Sequence, residues 1–111
     1  MKKSFYTVPE SKKVRVIVDS DAACECDDQY AIVHALLSQK LEVKALTAEH
    51  FGASEPESMD ASYQEMKRLL KLMEMENIPV FHGERIPLTH QEKEAGEVSE
   101  AAEFIIKEAL K

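Results

Sequence analysis

The chain has 111 residues, of which 44% are hydrophobic and 32% charged, with a formal net charge of −7. That length suits one small domain with a core of its own. The acidic balance and scattered Lys and Arg argue against a nucleic-acid partner, and no apolar stretch approaches the roughly 20 residues that cross a bilayer.

Residues 1–13 read as a disordered lead, with residues 14–111 forming an α/β segment. The lead carries Lys2, Lys3, Lys12 and Lys13 and no apolar core of the kind that marks a secretory leader, so a cytoplasmic setting is expected. Val14–Val18 is a β-branched run broken only by Arg15, the pattern of a strand buried on both faces. Asp28 to about Gln39 reads as a helix with acidic residues at its positive end.

Leu41–Thr47 alternates apolar and polar residues, then turns apolar, and reads as a second strand. A loop over 49–57 carries His50, Phe51, Gly52 and Pro56. Ser58 or Asp60 can cap the next helix, whose Met59, Tyr63, Met66, Leu70 and Met73 recur at helical spacing as a core-facing stripe. Ile78–Phe81 is a short third strand followed by His82 and Gly83. A polar loop runs over 84–97, and Ser99 caps a final helix with apolar positions at Ala102, Ile105, Ile106, Ala109 and Leu110.

Strands alternating with helices imply right-handed crossovers and a mostly parallel sheet, a Rossmann-like three-layer α/β/α arrangement. Ligands in such sheets sit beyond the carboxyl ends of the strands. Asp19–Asp28, His50–Gly52 and His82–Gly83 all fall at that edge. The last helix runs to the final residue, Lys111, and three strands leave a sheet edge open, so the segment is expected to be part of a larger fold, with homo-oligomers favoured at the open edge.

The run Asp19-Ser20-Asp21-Ala22-Ala23-Cys24-Glu25-Cys26-Asp27-Asp28 gathers four aspartates between the first strand and the first helix. Two carboxylates about 5 Å apart repel by roughly 3 kcal/mol at an effective dielectric near 20. Such a cluster therefore calls for a cation, a shared proton or facing N–H groups. The plainer reading, a solvated acidic turn with a helix cap, is less natural for four aspartates after a buried strand.

Asp-x-Asp after a strand, then Asp-Asp opening a helix, resembles the N-terminal signature of the inosine–uridine nucleoside hydrolase family. Asp28–Leu37 resembles the family's first helix, Leu41–Thr47 its second strand, and Asn77-Ile78-Pro79-Val80-Phe81-His82-Gly83 its third. The resemblance spans 14–111 and only the family's N-terminal part. Five residues, Ala22 to Cys26, separate Asp21 from the Asp pair, more than is common in the family and similar to a divergent branch with a D-A-x-x-E-x-D-D-Q pattern. The resemblance implies calcium held by Asp21 and Asp28, with Asp21 also taking a proton from the attacking water. It implies that Asp27 binds the ribose hydroxyls and that Asp19 orients the other carboxylates. The implied reaction is calcium-dependent hydrolysis of the N-glycosidic bond of a ribonucleoside, with the remaining site residues of the family downstream of Lys111.

Other readings stand beside this one. Asp19-Ser20-Asp21 also resembles the start of haloacid dehalogenase-type phosphotransferases, in which Asp19 would be the nucleophile and magnesium the metal. That scheme usually has Gly-Thr or Val where Ala22-Ala23 stand, and leaves Asp27-Asp28 without a role. A third reading is a non-catalytic α/β fragment that binds a metal or a partner chain. His50 is a candidate to reach a substrate or protonate a leaving group, or is an ordinary exposed loop histidine. His34 reads as a packing residue, His82 as structural and His90 as surface. Cys24 and Cys26 read as small loop side chains, Glu25 as a loop residue that can join the site or point outward, and Glu92, Glu94, Glu97, Glu100 and Glu103 as a solvated face.

Overall fold

A computed structural model describes residues 6–52, 57–87 and 98–111. Three parallel strands, β1 (Val14–Ser20), β2 (Leu41–Ala48) and β3 (Val80–His82), form one sheet in the order β1-β2-β3. Helices α1 (Cys26–Leu37), α2 (Ser58–Leu72) and α3 (Glu100–Ala109) follow the strands in turn, and a short 3-10 turn at Glu10–Lys12 precedes β1 within the stretch read as a lead. The α/β architecture with a parallel sheet is thus present.

Two successive crossovers in the same direction place α1 and α2 on one face. The side chains agree: Gln29 of α1 donates to Glu65 of α2 at 2.6 Å, and Ala23 N donates to Ser62 Oγ at 3.4 Å. This face carries the main core. Ile32, Leu46, Met59, Met66 and Leu70 are all fully buried there, with Val18, Val43 and Tyr63 packed around them. Burying each large apolar side chain is worth about 1.5–3 kcal/mol. Successive strand residues point to opposite faces, so Phe81 faces away from this core and stacks on Phe104 of α3, with ring centroids 4.6 Å apart. α3 therefore covers the other face.

The register explains the second strand's uneven pattern. Val16 pairs with Val43 but Ile17 pairs with Ala45, so Lys44 is an extra residue in β2. This bulge shifts the alternation by one position. Val43 and Leu46, three apart, consequently share the core face, and the change from alternating to apolar sequence marks the phase shift.

Several sequence expectations are corrected. β1 is an edge strand, so it is not buried on both faces: Val14 and Arg15 are exposed and Val16–Val18 half-buried. The central strand is β2, whose Ala45–Ala48 are all buried. Ser58 begins α2 rather than capping it; its hydroxyl accepts from Phe51 N at 2.8 Å in the preceding loop, and neither Ser58 nor Asp60 makes a side-chain cap. His34 is exposed rather than packed. Ser99 does cap α3, accepting from Ala102 N at 3.2 Å. In that helix Ala101 is buried, whereas Ile106 and Leu110 are 54% and 83% exposed. His90, Glu92, Glu94 and Glu97 lie outside the described residues.

Candidate functional site

The three strand ends stand level, with Ser20 paired to Ala48 and Ala48 to His82. Pairing continues one step beyond them: Glu49 N donates to Ser20 O and Gly83 N to Ala48 O, both at 2.9 Å. A side chain at Gly83 would collide with the Ala48 carbonyl oxygen, so glycine is required for this close approach. The chain thereby brings Asp19–Asp28, Glu49–Gly52 and His82–Gly83 to one edge.

The two faces divide the carboxylates. Ser20 points to the α1/α2 face, where its hydroxyl donates to Asp28 Oδ1 at 2.8 Å. Asp19 points to the α3 face, level with Thr47, whose hydroxyl donates to Asp19 Oδ1 at 2.6 Å. Asp21 lies in the turn between β1 and α1, and its carbonyl accepts from Cys24 N at 2.8 Å. No side-chain hydrogen bond fixes the Asp21 or Asp27 carboxylate among the described residues, and Asp27 is exposed in the first turn of α1.

Glu49 is the member that sequence reading missed. Its carboxyl is pushed up to about 7, first by the hydrogen bond it shares with Asp19, then by desolvation, then by the charges of Asp19, Asp21 and Asp28. The carboxylates of the βα turn and of the second strand's end thus act on one another across the edge. A proton held between Asp19 and Glu49 relieves part of that repulsion. The available signal was parity: Asp19 and Thr47 share a face, and Glu49 is the first residue past the strand that carries Thr47.

The same field reaches Cys24. Its thiol is pushed above the usual range by partial desolvation and by Asp21, Glu25, Asp28 and Asp27. A thiol so held is a poor thiolate, hence a poor soft-metal ligand. Cys24, Cys26 and Glu25 are all exposed.

His50 is half-buried beside the cluster, and its Nδ1 is buried with no hydrogen-bond partner. His82 lies on the other flank. Its ring stacks on Tyr63 with centroids 3.8 Å apart, its Nδ1 stands 3.0 Å from Glu100 Oε2, and its Nε2 is 3.9 Å from Asp60 Oδ1. These contacts tie β3 to the first turns of α2 and α3. The Glu100 carboxyl is held below its usual range by His82.

Hard carboxylate oxygens are the donors that calcium takes, usually six to eight in number. Asp19, Asp21, Asp28 and Glu49 carry oxygens of that kind at this edge. Among the described residues no three His, Cys, Asp or Glu side chains converge closely enough to hold a metal by themselves. Nor does any helix among them have the length and apolarity to cross a membrane. No protein-family model and no curated protein matches this chain.

Proposed function

We propose that this acidic edge serves the calcium-dependent hydrolysis of N-glycosidic bonds in ribonucleosides. The observation that carries the reading is the gathering of Asp19, Asp21, Asp28 and Glu49 at the carboxyl ends of β1 and β2, where the hydrogen bond with Asp19, desolvation and the neighbouring charges push the Glu49 carboxyl up to about 7. A leaving nucleobase takes the bonding pair with it and leaves positive charge on the sugar. Fixed negative charge nearby stabilises that oxocarbenium-like state.

The chain's residues divide the work by position. Asp21, whose carboxylate no side chain engages, accepts the proton that water loses as its oxygen bonds to the anomeric carbon. Asp27, exposed at the start of α1, accepts hydrogen bonds from the ribose hydroxyls. Ser20 holds Asp28 in place, and Thr47 does the same for Asp19. His50, next to Glu49 and half-buried, is the candidate to meet the base. Asp21 and Asp28 would hold the calcium, which when bound lowers the pKa of a water and clamps the sugar diol.

Calorimetric titration of calcium, with Asp28→Asn as the control, tests the reading. Heat of binding that is lost in D28N supports it, as does ribose release from ribonucleosides that needs calcium. Equal heats for both proteins, or none for either, would rule it out.

A further inference from the structure

We propose that β1 is a dimerisation strand, and that it pairs antiparallel with β1 of a second copy about a two-fold axis through Ile17. The backbone alternation of β1 sets the starting point. Val14 N donates to Lys40 O at the strand's beginning, and Ser20 O accepts from Glu49 N at its end. Even-numbered residues thus bond to β2, and Arg15, Ile17 and Asp19 turn their N–H and C=O groups to the outer edge, which no other strand among the described residues covers. In an antiparallel pair, outward-facing residues must meet outward-facing residues to exchange both hydrogen bonds.

Centring on Ile17 satisfies that rule at every outward position. Ile17 faces Ile17 of the second copy, and Arg15 faces its Asp19 on both sides of the axis. Directly opposite residues point to the same face, so each arginine meets an aspartate on the α3 face, flanking the isoleucine contact. On the other face Val16 meets Val18, β-branched against β-branched. The only two charges in β1 are thus opposite in sign and symmetric about its centre. Edge strands that avoid pairing carry proline, an inward charge or a bulge. β1 has no proline, its charges are self-complementary, and the sheet's bulge lies in β2.

Two further observations agree. Arg15 and Ile17 line a groove of about 220 Å³ with Lys44 and with Ile105, Glu108 and Ala109 of α3, and Val14 is about half exposed on the opposite face of the strand. In the single chain Asp19 lies against the acidic Glu49, and its hydrogen-bond donor, Thr47, is neutral. Arg15, which in the single chain meets Glu108 of α3 at 3.3 Å, is brought by the pairing beside Asp19 of the second copy.

Charge reversal tests the pairing. Sedimentation equilibrium of the unaltered chain over a wide concentration range shows a reversible monomer–dimer equilibrium. Arg15→Asp alone sets Asp against Asp twice, Asp19→Arg alone sets Arg against Arg twice, and each raises the dimer dissociation constant by about tenfold or more. Mixing the two single variants restores both attractive pairs, and native mass spectrometry finds the mixed dimer in excess over either homodimer. Ile17→Pro, which removes an outward N–H while leaving the β2 ladder intact, also gives monomer with an unchanged circular dichroism spectrum. A chain monomeric throughout overturns the proposal. So does a single charge variant that dimerises like the parent, or a mixture with no excess of mixed dimer. A strand from a different protein on this edge would leave the chain monomeric by itself.

Discussion

Glu49→Gln isolates the electrostatics of the candidate site. In the folded chain the Glu49 carboxyl sits at about 7, against an ordinary value of 4.5. Between those values the folded state keeps a proton that the unfolded chain has released. Stability contributed by that proton is fully present below about pH 4.5 and falls as pH rises through 7. The whole shift, from 4.5 to about 7, corresponds to at most about 3.4 kcal/mol at 1.36 kcal/mol per unit. Glu49 is exposed, and solvent screening reduces the figure to about 1 kcal/mol. Glutamine keeps a donor toward Asp19 and carries no charge to titrate. E49Q is therefore expected to match the parent below about pH 4.5 and to exceed it by about 1 kcal/mol at pH 8, or about 4 °C in Tm. Urea unfolding at several pH values gives both slopes. A stability difference that stays constant from about pH 5 to 8 would refute the reasoning, because it would mean that Glu49 releases its proton at the same pH whether the chain is folded or not.

Two further substitutions probe the frame around the site. Gly83→Ala places a methyl group against the Ala48 carbonyl oxygen and breaks the 2.9 Å bond from Gly83 N, so a loss of about 2 kcal/mol or more is expected in chemical denaturation. Met66→Ala empties a fully buried position under β2 and should cost about 2–5 kcal/mol, lowering the urea midpoint by roughly 2 M without changing the slope.

The order of elements and the gathering of functional residues at one edge were legible because they depend on local signals. β-branched runs marked β1 and β2. The methionine stripe marked the buried side of α2, and the carboxylates stood at a strand-to-helix turn. What sequence could not give depends on neighbours distant in the chain. Which strand is central is decided by strand order, so Val14–Val18, the most apolar run, lies at an edge, whereas Ala45–Ala48 takes the middle. The Lys44 bulge is set by pairing with β1; the change from alternating to apolar sequence within β2 reflects it but does not by itself distinguish a bulge from a buried strand end. Glu49 gained its role from Asp19, thirty residues earlier, once strand register set them side by side. Phe104 was overlooked for the same reason: its partner, Phe81, belongs to another element.

The attachment of α3 is slender beside that of the other helices. Ala101 is its one buried residue among those described, and its other contacts include the Phe81–Phe104 stack, a hydrogen bond from His82 N to Glu100 and two surface ion pairs, Arg15–Glu108 and His82–Glu100. Exposed ion pairs add little, and segments with few buried apolar contacts open at the lowest free energy. Lifting α3 would bare the side of the sheet on which Asp19 and Thr47 stand while leaving Ser20 and Asp28 covered. The two carboxylate groups of the edge thus belong to regions of unequal local stability, and a molecule entering from the α3 side would meet the softer one first.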